Sequence, residues 1–262
     1  MTSQAELEAP TVAVAAVGDI HVGEDSVLPD LDDVGERADL LLLAGDLTRC
    51  GESSEATRLA ALLRDVAIPV VAVLGNHDHH AEQPDALVAT LEDAGVTVLE
   101  QSATTVEIRG LTVGVAGAKG FAGGMADFGV SAFGEPEMKA FAAHGGVASD
   151  GVAAALAGLD TDVRLVLLHY SPILATLQGE RAEILAFMGD YRLAEAIDAH
   201  GADLVLHGHA HHGRERGRTP GGIPVRNVAW PVIRSPYRVY DVPVGVGWSA
   251  AAAVGAGRRF SA

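Results

Sequence analysis

The 262-residue chain predicts an α/β fold built from two sheets, with a polar site at the carboxyl ends of its strands. Three observations predict it. Continuous apolar runs alternate with helical patterns at the start of the chain. The strand pattern then changes to alternating hairpin character near Thr104. Short motifs rich in aspartate and histidine follow directly on the apolar runs.

Val12–Val17, Asp39–Leu43 and Val70–Leu74 are continuous runs rich in Val and Leu, as expected of strands buried on both faces. Glu52–Val66 carries Leu59, Leu62, Leu63 and Val66 at helical spacing, and Pro84–Ala94 repeats the pattern with Leu87, Val88 and Leu91. This βαβαβ opening implies parallel strands with ligands at their carboxyl ends. Thr104–Ile108 and Leu111–Ala116 flank Arg109-Gly110 as a hairpin. Val163–Leu168, Ala202–Leu206, Ile223–Val228 and Tyr237–Asp241 add short strands, and a helix at Tyr191–His200 ends at Gly201. Residues 117–146 are rich in Gly, Ala and Phe without clear periodicity, which reads as an irregular excursion, a lid or a packed surface loop. The expected organisation is one domain over residues 1–244 and a low-complexity tail over 245–262.

Composition narrows the function. Hydrophobic residues make up 48% and charged residues 20%, enough for a core and unlike a disordered chain. The net charge of −17 repels phosphate backbones and argues against extended nucleic-acid binding. Lys119 and Lys139 are the only lysines, and the densest basic cluster, Arg214, Arg216 and Arg218, is small. A lone cysteine, Cys50, excludes an internal disulfide and fits a reducing compartment. The first ten residues carry no positive segment, and Val12–Val17 is too short for a signal or a membrane span. A cytoplasmic protein without a membrane partner is expected, and a homo-oligomer is left open.

Five motifs occur in fixed order: Gly18-Asp19-Ile20-His21, Gly45-Asp46, Gly75-Asn76-His77-Asp78, His169, and Gly208-His209-Ala210-His211. In an extended segment the side chains at i and i+2 point the same way, so Asp19 and His21 can converge on one ion, and His209 and His211 on a facing pair. Adjacent residues point apart, which makes Asn76 a ligand and leaves His77 facing the space above the metals. Carboxylate, amide and imidazole donors without thiolates suit Mn, Fe, Zn or related divalent ions and exclude a structural zinc finger. Two dications with Asp19, Asp46 and a bridging hydroxide leave a residual charge of about +1, which favours a phosphate oxyanion. Such a pair can deprotonate water near neutral pH and stabilise an in-line displacement, with His77 giving a proton to the leaving oxygen.

The order D-x-H, G-D, G-N-H-D, H, G-H-x-H resembles the calcineurin-like metallophosphoesterase family. The segments GDLT and LVLHGHAHH resemble especially its bacterial cyclic-nucleotide-phosphodiesterase-like branch. The resemblance runs from Val12 to about Asp241. It implies an αββα sandwich of two mixed sheets flanked by helices. It implies a first metal held by Asp19, His21, Asp46 and His211, and a second held by a bridging Asp46 with Asn76, His169 and His209. His77 then matches the catalytic histidine and Asp78 the acid that orients it.

The remaining polar residues have weaker readings. His79, His80 and His212 sit beside ligand motifs and are candidates for substrate contact, and so is Arg49, for which a surface salt bridge is equally open. His207 reads as support for the ligands, His200 as a helix cap, His144 as solvated and Ser171-Pro172 as a turn. Phe121, Phe128 and Phe133 either stack on a substrate base or pack. The expected function is a dinuclear-metal phosphodiesterase acting on a small phosphorylated substrate. A phosphomonoesterase acting on a nucleotide, sugar phosphate or phosphoprotein is the alternative. A complete ligand set counts against a non-catalytic scaffold, and the acidic balance counts against a nuclease.

Overall fold

A computed structural model describes residues 10–125 and 129–245. In chain order the elements are β1 (Thr11–Val17), α1 (Val34–Arg37), β2 (Leu40–Ala44), α2 (Ser53–Leu63), β3 (Val70–Val73), α3 (Pro84–Glu92), β4 (Val96–Val98), β5 (Ser102–Ile108) and β6 (Leu111–Ala118). There follow α4 (Pro136–Ala157), β7 (Val163–Leu168), α5 (Tyr191–His200), β8 (Leu204–His207), β9 (Arg216–Arg218), β10 (Pro224–Asn227), α6 (Trp230–Ile233) and β11 (Arg238–Pro243).

The strands form two sheets, in the orders β11-β1-β2-β3-β4 and β5-β6-β7-β8-β10-β9. The inner strands of each run parallel, and antiparallel strands close three edges: β11 on β1, β5 on β6 and β9 on β10. Period-2 alternation explains the layering. On β7, Val163, Leu165 and Leu167 face the core between the sheets, while Val166 and Leu168 face a second core under α4 and α5. Leu204 and Leu206 on β8 divide from Val205 in the same way. Leu59, Leu63, Leu87 and Leu91 of α2 and α3 join the first core. The architecture is the αββα sandwich.

Local chemistry sets several boundaries. Glu52 and Glu55 form a reciprocal capping box at the start of α2. Asp190 accepts from the Arg192 amide at the start of α5, and Gly201 ends that helix at φ 78. Pro136 opens α4, which corrects the reading of residues 117–146 as wholly irregular. The buried face of α4 is Ala142, Gly145, Ala148, Ser149, Val152 and Leu156, helically spaced but made largely of small residues, so no apolar period announces it. A Cβ at Gly145 would lie 2.6 Å from Arg192 Nη2 and 2.7 Å from Asp190 Oδ2, so a larger residue there would press on that ion pair. The preceding segment is pinned to the body: Gly123 and Gly124 both donate to the Gly189 carbonyl. β4 and β9 escape prediction because each is three residues long, and β9 is Arg-Gly-Arg on a sheet edge. The 246–262 part of the expected tail lies outside the described residues, as does Phe128.

Candidate metal centre

Every ligand motif follows the carboxyl end of a parallel strand. Asp19 follows β1, Asp46 follows β2, Asn76 and His77 follow β3, His169 follows β7, and His209 follows β8. Both sheets therefore deliver side chains to one seam. Their ligand atoms gather within 4.8 Å of one another in three overlapping groups: Asp19, His21 and His211; His21, Asp46 and His77; and Asp46, His169 and His209. Asn76 joins the last through Oδ1, 3.0 Å from His169 Nε2. All seven expected ligands are thus brought together, with Asp46 between the two sides.

The convergence is reached by a backbone route that the i, i+2 rule does not describe. Asp19 (φ 57), His21 (φ 49), Asp46 (φ 48) and His209 (φ 69) are all left-handed rather than extended. Non-glycine residues hold that region at a cost, commonly where function requires it. Neighbouring amides lock the conformation: the His21 amide donates to the Asp46 carbonyl, and the His209 amide donates to Asp19 Oδ1 and Oδ2 at 3.0 and 2.9 Å. Gly45, itself at φ 77, leaves room for the His169 ring, which a Cβ would meet at 2.6 Å.

The donor set fits divalent cations. His169 Nδ1 donates to the Ala44 carbonyl at 2.9 Å, and burial holds the ring well below its ordinary pKa. Its Nε2 therefore presents a lone pair to Asn76 Oδ1, to His209 Nδ1 at 3.1 Å and to Asp46 Oδ1 at 3.3 Å. Such a convergence of acceptors suits a cation. His21 Nε2 is buried without a hydrogen-bond partner among the described residues and lies 3.8 Å from Asp46 Oδ2. Burial lowers His21 to about 4 and His209 to about 3, so both rings are neutral and ready to ligate at neutral pH.

Asp19 and His211 behave differently. Burial pushes the Asp19 carboxyl up to about 6, while its 2.8 Å contact with His211 Nε2 raises the imidazole. The pair shares a proton that must leave before both can ligate. Because both pKa values lie above their ordinary positions, His211 takes up its proton above the usual histidine range and Asp19 follows as pH falls through about 6. Metal affinity is therefore expected to fall as pH is lowered through about 6, approaching tenfold per pH unit for each displaced proton. Competition with a chromophoric chelator measures this, and an affinity that does not change as pH passes through about 6 refutes it.

His77 stands on the open side, its side chain 36% exposed, with Nε2 3.9 Å from Asp46 Oδ2. Its Nδ1 donates to the Arg49 carbonyl at 2.8 Å. This corrects the expectation for Asp78. That buried carboxylate does not orient the imidazole; it accepts from the amides of Leu47, Thr48 and Gly75 and from Thr48 Oγ1, tying the Gly45 loop to the Gly75 loop. Burial pushes Asp78 up to about 6, while four donors aimed at its two oxygens favour the ionised form. Asp78→Asn sets an NH₂ group against those donors. It is expected to cost about 3 kcal/mol and lower Tm by about 6–12 °C, as a thermal melt would show. An unchanged Tm would count against the tie.

Around this centre the other candidates separate. The His80 ring packs on His77 at 4.6 Å, and His79 is half-buried and lowered by burial and then by Lys119. His212 is exposed beside His211, its amide donating to Glu180. The Arg49 guanidinium lies over Gly23, so its main-chain carbonyl is the part that meets His77. His207 is fully buried, donates to the Gly208 carbonyl at 2.7 Å and accepts from Thr176 Oγ1 at 2.8 Å, bracing the G-H-x-H loop. Ser171 extends that chain through a 3.0 Å contact with Thr176, more than a turn residue would do. His200 caps its helix by contacting the Ala196 carbonyl. Phe133 is 87% exposed, whereas Phe121 packs on Phe141 and His144.

Two neighbours escape sequence reasoning. The Tyr170 ring lies 4.3 Å from His209, and the Lys119 ammonium sits over the rings of Phe121 and Tyr170. The adjacency of Tyr170 to His169 is the one signal that could have found either.

A cluster of histidines and carboxylates at the joined ends of two facing sheets defines the metallophosphoesterase class. The chain belongs to the calcineurin-like phosphoesterase family, which it matches over residues 12–213. This is a hydrolase family that binds divalent metals, and the Asp/His groups here are of a kind that can hold them. The fold is similar to phosphopantetheinyl hydrolase from Mycobacterium tuberculosis, with TM-score 0.64, 18% identity, and coverage of 88% of this chain and 96% of that one. It is also similar to the TT1561 protein of Thermus thermophilus, with TM-score 0.55, 19% identity, and coverage of 89% and 99%. A putative 5'-nucleotidase from Staphylococcus aureus gives TM-score 0.56 and 16% identity, with coverage of 90% of this chain and 54% of that one. No curated protein sequence matches. Among the described residues no helix is long and apolar enough to cross a membrane.

Proposed function

We propose that this protein is a divalent-metal-dependent phosphodiesterase. The observation that carries the reading is a pair of ligand clusters sharing Asp46, with the His77 Nε2 poised on their open side. Asp19, His21, His211 and Asp46 would hold one ion, and Asp46, Asn76, His169 and His209 the other. Bound ions would make water nucleophilic near neutral pH and withdraw charge from the phosphoryl oxygens.

The chain's own groups do the rest. The Arg49 carbonyl accepts from His77 Nδ1, so Nε2 faces the site; the second proton that the imidazolium carries on Nε2 is the one passed to the departing oxygen, leaving hydrogen on Nδ1. Asp78 keeps the Asp46 and His77 loops in register. A centre with a residual charge of about +1 matches the single negative charge of a diester better than the two of a monoester. Within the diesters, a cyclic nucleotide is the first to test, since GDLT and LVLHGHAHH resemble the cyclic-nucleotide branch.

The test uses metal-stripped protein reloaded with Mn, Fe, Zn or Co. Bis(p-nitrophenyl) phosphate, p-nitrophenyl phosphate and cyclic nucleotides are offered in parallel. Metal-restored hydrolysis with higher kcat/KM on the diesters is expected. Faster turnover of the monoester would move the assignment to a phosphomonoesterase, and absence of metal-dependent hydrolysis would overturn it.

A further inference from the structure

We propose that Arg234 anchors a second phosphate group on the substrate, so that phosphoesters bearing a further phosphate away from the scissile one bind more tightly than those, cyclic mononucleotides included, that carry a single phosphate. This rests on reading the cluster as a phosphohydrolase centre. A cavity of about 620 Å³ opens beside His211 and is lined by His212, Val232, Arg234 and Arg238. Its two guanidinium groups are not equivalent. Arg238 is committed to Glu215 at 3.1 Å, whereas Arg234 is exposed and makes no ion pair among the described residues.

The backbone at Arg234 is fixed by the helix that precedes it. It ends α6 in the left-handed region, at φ 51 and ψ 35, with its amide donating to the Trp230 carbonyl at 2.9 Å. That is an ordinary way for a helix to end, and here it closes α6. The start of α6 is bolted to the ligand loop: the Trp230 amide donates to the Gly18 carbonyl, and the Gly18 amide donates to the Val228 carbonyl, both at 2.9 Å. Gly18 directly precedes Asp19. One short rigid element therefore fixes Arg234 relative to the metal ligands, and a guanidinium fork suits two oxygens of a phosphate. Among the described residues no carboxylate lines this cavity, and Glu180, next to the lining residue Gly179, accepts from the His212 amide at 2.7 Å.

Isothermal calorimetry on manganese-loaded protein tests this without relying on turnover. The probes are ethanediol, propanediol and butanediol bisphosphates against ethyl, propyl and butyl monophosphates. At least one tether length is expected to bind about tenfold more tightly than its monophosphate. Arg234→Gly, which tolerates the left-handed backbone, should bring the bisphosphate to within about twofold of the monophosphate, and Arg234→Lys should keep only part of the gain. A bisphosphate gain at no tether length, or one that survives Arg234→Gly, overturns the proposal. Arg234-dependent binding without hydrolysis of any ester keeps this inference and sinks the hydrolase reading. No binding of either probe class overturns this inference, while the hydrolase reading stands or falls on the hydrolysis assay.

Discussion

Asp46→Asn is expected to reduce kcat/KM on bis(p-nitrophenyl) phosphate by at least about 10³-fold, an effect of roughly 4 kcal/mol. The residue belongs to the groups on both sides of the centre, so one substitution weakens both ligand sets. An amide keeps one oxygen and nearly the same volume, and Oδ1 can still accept from the His77 amide, a contact of 2.8 Å. The fold should therefore survive while bound metal, measured by elemental analysis, falls with activity. A variant retaining more than a tenth of the wild-type rate would remove Asp46 from the centre of the mechanism.

His77→Ala is expected to lower kcat by about 10²–10⁴-fold while leaving metal content unchanged. Metal content is the sharper readout, because His77 also lies at ligand spacing from His21 and Asp46. If the imidazole bound an ion, metal content would fall with the rate. If it delivers a proton, the loss should be larger for an alkyl diester than for a p-nitrophenyl diester, whose leaving group needs less help. Equal losses on both substrates would argue against proton delivery.

The site was legible in sequence because strands buried on two faces read as apolar runs, and the chemistry sits in the loops just beyond them. β1, β2, β3, β7 and β8 could all be found this way, and each ends at a motif. What stayed hidden depends on tertiary contact. The left-handed backbone at Asp19, His21, Asp46 and His209 follows from amides reaching across loops, so the convergence was foreseen with the wrong local geometry. The acid next to a catalytic histidine suggests a partner for the imidazole, yet the fold turns Asp78 inward to three loop amides and a threonine and gives the ring a carbonyl instead. Small-residue packing concealed α4, since alanine and glycine carry a buried face without a hydrophobic period.

The division of the ligand loops between the two sheets has a consequence for biogenesis. Asp19, His21, Asp46 and Asn76 come from the first sheet, whereas His169, His209 and His211 come from the second and are synthesised much later. Neither proposed ion position is complete until the second sheet has docked on the first. Metal loading would then be among the last events in maturation, and a nascent chain halted before β8 would have no complete position for either ion, however much metal the surroundings offered.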